Sequence, residues 1–102
     1  MNHVTTTLAG CNFRPSEARA ACKALEVGEA LTLEADPFNK YDSNAIKVLT
    51  IDPHGEEGHF IGFVAKADNS TISAALLRGE ELAAEVIAFE SSIKPIIEIT
   101  LP

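Results

Sequence analysis

Five residues of this chain are histidines or cysteines, the ligands of structural zinc sites: His3, Cys11, Cys22, His54 and His59. A structural zinc site needs two closely spaced pairs of ligands, which these positions do not supply. The two cysteines are also too few for a disulfide scaffold, so we interpret them as small buried hydrophobic residues in a reducing compartment. We therefore expect no bound metal.

Residues for nucleophilic catalysis are not grouped either. Serine, histidine and acidic residues are scattered, and no serine lies in the strand-turn-helix elbow typical of hydrolases. The acidic pairs Glu56-Glu57 and Glu80-Glu81 are interpreted as solvated loop charges. We expect no enzymatic activity, no catalytic residue and no cofactor.

The densest group of polar and turn-forming residues is the segment Asp36-Pro37-Phe38-Asn39-Lys40-Tyr41-Asp42-Ser43-Asn44. An aspartate in a turn commonly bonds its own backbone, so Tyr41 and Asp42 taken alone are more simply explained as structural residues. Asn44 is expected to fix the backbone of the turn. Lys40 and Lys47, which flank this loop, are expected to be solvated.

Hydrophobic periodicity predicts the elements that position this loop. Period-two alternation predicts six strands, at 4–8 with an extension to residue 9 or 10, 29–36, 45–51, 60–64, 81–88 and 93–101. Spacing typical of a helix face predicts two short helices, at 15–25 and 68–78. The polar residues 52–58 are predicted to connect the third and fourth strands as a hairpin.

Six short strands and two short helices predict a mostly β protein, a small modified OB-like or SH3-like barrel, because a flat sheet would leave edges exposed. The 102 residues, 46% of them hydrophobic, are expected to form a single domain over 1–102. Phe13 and Phe63 suit the core of such a barrel or its surface equally well.

The formal charge of −7 argues against a general attraction to nucleic acid. Any contact with DNA must therefore be local. No segment approaches the length of a membrane span, and the first residues lack the pattern of a secretory signal. We expect a cytoplasmic location and no membrane partner.

Three segments of the sequence resemble the HIRAN domain family. They are Gly10-x-x-Phe13-Arg14, Asp36-Pro37-x-Asn39-x-Tyr41-Asp42-x-Asn44-Ala45-Ile46-Lys47-Val48, and Ile61-Gly62-Phe63-Val64-x-Lys66. The resemblance implies a modified OB-like barrel that occurs alone or attached to Swi/Snf-type DNA translocases, which remodel stalled replication forks. It implies capture of the free 3′ end of single-stranded DNA, without enzymatic activity.

Site residues follow from this resemblance position by position. Tyr41 would stack on the terminal base, Asp42 would accept a hydrogen bond from the 3′-hydroxyl, and Lys66 would pair with a phosphate. Phe13 would be a second aromatic residue in the base pocket, and Asn39 would meet the nucleotide through its side chain or backbone.

Arg14 and Phe63 complete the predicted nucleic-acid-binding set. Arg14 would supply a charge that the family can place one position before Phe13, where this chain has Asn12, if the bend after the first strand turns it toward the site. Phe63 keeps an aromatic ring at a position where histidine or tyrosine could also donate a hydrogen bond.

Two functions therefore remain. The first is a DNA-end binding module in DNA repair or replication-fork processing, acting alone or beside a helicase, a nuclease or another repair protein. The second is a protein-interaction or oligomerisation module of the same fold with a decayed DNA pocket, which the acidic charge and Asn12 favour.

Overall fold

The computed structural model describes residues 2–52, 54 and 57–102, in which six strands close into one antiparallel barrel. The order around the barrel is β1-β4-β3-β2-β5-β6. The strands are β1 (Asn2–Ala9), β2 (Ala30–Ala35), β3 (Ile46–Ile51), β4 (Glu57–Val64), β5 (Ala83–Ser91) and β6 (Lys94–Leu101). The helices are α1 (Ser16–Lys23) and α2 (Asn69–Leu77), with short 3-10 helices at Cys11–Phe13 and Lys66–Asp68.

The predicted mostly β barrel with two helices is confirmed. The third and fourth strands pair as expected. Of the predicted connection 52–58, positions 53, 55 and 56 lie outside the described residues. None of the helices in the described ranges is long and apolar enough to cross a membrane.

The barrel core is aliphatic. In β6 every second side chain points inward, as the period-two pattern predicts. The same alternation on the neighbouring strands brings branched aliphatic residues together, among them Ile46, Val48, Ile61, Val86, Ile97 and Ile99. Close packing of these β-branched side chains fills the interior without an aromatic ring.

All six aromatic residues of the chain lie partly or largely exposed. Of the two open alternatives for Phe13 and Phe63, the surface position is the one observed. Aromatic side chains usually supply much of the core of a small domain. Here they remain available at the surface.

Helix α1 packs its alanine and cysteine face on the barrel. Ala18 and Cys22 are buried, as the helical spacing predicts, and Cys11 lies beside Cys22. Burial, with a smaller contribution from the hydrogen bond to Cys11, raises the pKa of the Cys22 thiol to about 12. Both cysteines are free and buried, which agrees with their interpretation as small hydrophobic residues.

A β-bulge in β4 changes which side chains face outward. Val48 of β3 pairs with Gly62, whereas the next residue, Leu49, pairs with Phe60. The extra residue, Ile61, turns into the core, so that Phe60 and Phe63 both lie on the outer face. Their rings meet edge to face, with centroids 5.1 Å apart.

Gly62 allows β1 to approach this bulge closely. A Cβ atom at Gly62 would lie 2.6 Å from the carbonyl oxygen of Ala9 and 2.9 Å from the side chain of Leu8. Its φ of +155° is also one that other residues rarely adopt. Glycine is therefore required where β1 and β4 meet.

Candidate functional site

An open cleft of about 220 Å³ lies where β1 meets β4, next to the loop between β2 and β3. Five of the seven residues predicted from the sequence line it together: Asn39, Tyr41, Asp42, Phe63 and Lys66. Asn69, which the sequence analysis did not select, also lines the cleft, and Ala9, Ala45 and Val64 complete its wall.

The loop at residues 36–45 is a compact structure closed by hydrogen bonds. The amide of Asp36 donates to the carbonyl of Ala45, and the amide of Ala45 donates to the carbonyl of Asp42. This arrangement sets the ends of β2 and β3 side by side and gives the loop a fixed shape. The side chains at its tip are therefore presented by a defined backbone.

Asn39 organises this loop from within. Its Oδ1 accepts hydrogen bonds from the amides of Tyr41 (2.9 Å) and Asp42 (3.2 Å). Its Nδ2 donates to Asp36 Oδ2 at 3.1 Å. Since these contacts occupy most of the polar capacity of the side chain, Asn39 acts chiefly as a positioning residue for its two neighbours.

Asp42 is held by both of its carboxylate oxygens. Asn69 Nδ2 donates to Oδ2 at 2.9 Å, and the amide of Asn44 donates to Oδ1 at 2.9 Å. These hydrogen bonds, that from Asn69 first, lower the pKa of Asp42, and the charge of Lys66 contributes in the same direction. Each carboxylate oxygen can accept a further hydrogen bond, so Asp42 presents an ionised acceptor to the cleft.

Asn69 reaches Asp42 because the polar residues that begin α2 make tertiary contacts. Asp68 accepts a hydrogen bond from Thr6 Oγ1 of β1 at 2.8 Å and does not cap the helix with its side chain. Asn69 is 4% exposed and points its amide at Asp42. The start of α2 is thus fixed to β1 on one side and to the loop on the other.

Tyr41 extends from the loop into solvent, with 82% of its surface exposed. Its backbone amide donates a hydrogen bond to Asn39, and among the described residues its hydroxyl group has no hydrogen-bond partner. The ammonium group of Lys40 lies 5.2 Å from the centroid of the tyrosine ring. An exposed ring on a rigid loop is a suitable surface for stacking a planar ligand.

Phe63 and Lys66 form the opposite side of the cleft. Phe63 is half-buried on the outer face of β4, directly across from Ala9 and Lys47 in the strand register. Lys66 begins the 3-10 helix that follows, and its side chain is exposed. No carboxylate of the described residues lies within salt-bridge distance of Lys66.

Phe13 and Arg14 do not line the cleft, contrary to their predicted place in it. Phe13 is 84% exposed at the end of the 3-10 helix at Cys11–Phe13. Arg14 is turned toward β4, with its guanidinium carbon 4.0 Å from the centroid of Phe60 and its Nε donating to the Phe60 carbonyl at 3.3 Å. The bend after β1 thus directs Arg14 to the neighbouring outer face of the barrel.

Sequence reasoning missed Asn69 and Phe60. An asparagine at the start of a helix is usually a capping residue, so its type indicated a structural role. Phe60 reaches the face of Phe63 only because of the bulge at Ile61, and Gly62 inside the predicted strand was the signal that could have indicated this bulge.

Three larger hollows lack the chemistry of the cleft. The first, of about 460 Å³, lies between the end of α1 and the β3–β4 hairpin and is lined by no phenylalanine, tyrosine, lysine or arginine. The second, of about 430 Å³, adjoins the cleft at Ala9 and Lys66 and contains Lys94 but no aromatic residue. The third, of about 240 Å³, lies between β2, β5 and β6 and has no aromatic or basic residue in its lining. In the part of the chain that is described, no three His, Cys, Asp or Glu side chains are grouped to hold a metal ion.

Comparison with known proteins agrees with the fold. The HIRAN domain family model matches residues 1–96. The crystal structure of a Lactobacillus plantarum protein from a structural genomics programme is 23% identical over 96% of this chain and 95% of that one, with a TM-score of 0.73. The crystal structure of the HIRAN domain of human HLTF is 18% identical over 98% of this chain and 74% of that one, with a TM-score of 0.72. No curated protein matches the sequence.

Proposed function

We propose that this chain, which belongs to the HIRAN domain family, binds single-stranded DNA and captures its free 3′-hydroxyl end in the cleft between Tyr41 and Phe63. Membership of the family supports nucleic-acid binding in general. The selectivity for a 3′ end rests on the geometry of Asp42 and its neighbours.

The observation that carries this proposal is the position of Tyr41 beside Asp42 and Lys66 in one cleft. An exposed tyrosine face can stack on a base of any sequence. The ionised carboxylate can accept a hydrogen bond from a hydroxyl group. The lysine ammonium can pair with the phosphate that precedes the terminal nucleoside.

Selectivity for an end follows from the charge of Asp42. A strand that continues past this point, or that ends in a 3′-phosphate, would place phosphate oxygens near an ionised carboxylate. Like charges at short range repel, and such an arrangement is costly where water is partly excluded. A terminal hydroxyl avoids that repulsion and gains a charge-assisted hydrogen bond.

The acidic character of the chain is compatible with this local recognition. A formal charge of −7 disfavours long nucleic-acid tracts bound through many phosphates. Capture of a single end needs few phosphate contacts. We accordingly infer modest affinity and a role in DNA repair or replication-fork processing, in which a helicase, nuclease or other repair protein supplies the chemistry.

The test is fluorescence anisotropy with oligo-dT labelled at its 5′ end, at low salt. A strand with a 3′-hydroxyl is expected to bind saturably, and the same strand with a 3′-phosphate is expected to bind at least about tenfold more weakly. Tyr41→Ala should weaken binding of the 3′-hydroxyl strand by about tenfold or more, since one stacked base is lost.

Two variants sharpen this test. Phe38→Ala is a matched control for Tyr41→Ala, because Phe38 is 95% exposed in the same loop but does not line the cleft. Asp42→Asn should weaken binding of the 3′-hydroxyl strand. It should also reduce the difference in affinity between the 3′-hydroxyl and 3′-phosphate strands. Absence of binding by the 3′-hydroxyl strand would overturn the proposal and favour the protein-interaction alternative.

A further inference from the structure

The geometry points to a second DNA-contacting surface, the Phe60 face, defined by Arg14, Lys47, Phe60 and Phe63 on the outside of the β3–β4 hairpin. This inference rests on the proposed function. It states that nucleotides on the 5′ side of the captured end lie across Phe63 and Phe60, with their phosphates against Arg14 and Lys47.

The Phe60 face is continuous with the cleft. Phe63 lines the cleft and also contacts Phe60, at 5.1 Å between ring centroids. The bulge at Ile61 places the two rings on one face, where a regular strand would have turned Phe60 inward. A strand leaving the cleft over Phe63 therefore meets a second aromatic ring at once.

Two cations lie over this second ring. The guanidinium carbon of Arg14 lies 4.0 Å, and the Nζ of Lys47 5.4 Å, from the centroid of Phe60. Arg14 uses only Nε in a hydrogen bond to the protein, so among the described residues its two Nη groups have no protein acceptor. Those groups form a fork suited to a phosphate.

Neither cation of the Phe60 face is held in a salt bridge by the described residues, and the nearest carboxylate in the strand register is that of Glu34, directly across from Lys47. Within the described ranges, neither Arg14 nor Lys47 lies within salt-bridge distance of a carboxylate. Two cations outside any salt bridge, next to a pair of aromatic rings, suit the phosphates and bases of a single strand.

A second path by which the DNA strand could leave the cleft is less suitable than the Phe60 face. The hollow that shares Ala9 and Lys66 with the cleft leads to Lys94, whose Nζ lies 3.6 Å from Glu90. It has no aromatic wall. A phosphate there would compete with a carboxylate already in a salt bridge, whereas neither Arg14 nor Lys47 is in a salt bridge with the described residues.

The experiment compares strand lengths. A labelled 3′-hydroxyl oligo-dT is displaced by unlabelled competitors at several salt concentrations. The competitors are 3′-hydroxyl dT2, 3′-hydroxyl dT8 and dT8 with a 3′-phosphate. The proteins are the unmodified chain, Lys47→Gln, and Arg14→Gln with Lys47→Gln. Arg19→Gln and Lys94→Gln are controls that each remove one positive charge, as Lys47→Gln does. Arg19 is exposed on α1 and lines none of these hollows, and Lys94 lines the hollow on the second path. Circular dichroism and thermal melting establish that each variant folds.

The inference predicts that dT8 binds more tightly than dT2, and that the double variant loses most of this gain while it still binds dT2. The slope of log affinity against log salt for dT8 should fall by about 0.7 for each phosphate contact removed. Lys47→Gln alone should remove about half of the difference in affinity between dT8 and dT2, and neither control variant should remove this difference.

The possible failures are distinguishable. Equal binding of dT2 and dT8 would overturn the inference that DNA contacts the Phe60 face, and so would a length dependence that Lys94→Gln removes and the Arg14 and Lys47 substitutions do not. Neither result would contradict end capture. If the 3′-phosphate strand binds as well as the 3′-hydroxyl strand, end capture fails, and a length dependence lost with Arg14 and Lys47 still supports the Phe60 face. Absence of all binding overturns both.

Discussion

Asn69 Nδ2 lies 2.9 Å from Asp42 Oδ2, and this hydrogen bond joins the start of α2 to the loop that carries the candidate site. The two residues are 27 positions apart in the sequence. Asn69 is buried, whereas Asp42 is reached by solvent from the cleft. The contact thus fixes the orientation of a carboxylate while it leaves further acceptor capacity open.

Removal of this contact is expected to raise the pKa of Asp42. Asn69→Ala deletes the hydrogen bond that contributes most to the lowering, so the pKa should move up toward its ordinary value of 3.8. The carboxyl carbon chemical shift of Asp42, followed by NMR during an acid titration, measures this change. An unchanged pKa in a folded Asn69→Ala protein would show that Asn69 does not hold the carboxylate.

DNA-end binding should be insensitive to pH from about pH 8 down to about pH 5. The folded pKa of Asp42 is lowered from 3.8, so the carboxylate is ionised throughout this range and the stabilisation it provides is fully present. That stabilisation, and the acceptor for the 3′-hydroxyl, are lost only as the pH falls through the lowered pKa. Anisotropy titrations at intervals of pH test this, and a marked loss of affinity between pH 7 and pH 5 would contradict it.

Gly62→Ala is expected to lower the free energy of unfolding by about 1–3 kcal/mol or more, because the new Cβ meets the backbone oxygen of Ala9 and the φ is unfavourable. Urea unfolding followed by circular dichroism measures the change. Gly79→Ala is the matched control, since Gly79 also has a positive φ but no atom within 4 Å of its Cβ position. Equal losses in the two variants would refute a steric role for the contact with β1.

The two thiols should react slowly in the folded protein. Cys11 and Cys22 are buried, and burial together with the hydrogen bond that the Cys22 thiol donates to Cys11 raises the pKa of Cys22 to about 12, so little Cys22 thiolate forms at pH 8. Ellman's reagent should modify both thiols rapidly in urea and slowly in buffer. Rapid reaction of either thiol in buffer would indicate that α1 opens from the barrel.

The order and type of the main elements followed from hydrophobic period and turn residues. The alternation at Ile97, Ile99 and Leu101 predicted the last strand, and that strand is observed. Ala18 and Cys22 predicted the buried face of α1, which is also observed. These signals are local, and the tertiary structure did not override them.

The composition of the cleft was partly predictable for a similar reason. Asn39, Tyr41 and Asp42 lie in one short loop, so their sequence proximity already brought them together. The position of the Arg14 side chain depended on the bend after β1. The contact of Asn69 with Asp42 depended on how α2 packs on the barrel. Both are tertiary arrangements that no local pattern encodes, whereas the bulge at Ile61 had a local signal in Gly62.

Tyr41 is the single tyrosine of the chain, which also lacks tryptophan, so intrinsic tyrosine fluorescence reports on the candidate site alone. The most direct measurement is a titration of this fluorescence with 3′-hydroxyl oligo-dT, repeated with 3′-phosphate oligo-dT and corrected for DNA absorbance with free tyrosine. Stacking of the terminal base on Tyr41 predicts saturable quenching by the 3′-hydroxyl strand and little quenching by the 3′-phosphate strand at the same concentration. Unchanged fluorescence with a 3′-hydroxyl strand that binds by anisotropy, or equal quenching by the two strands, would contradict end capture at Tyr41 and Asp42.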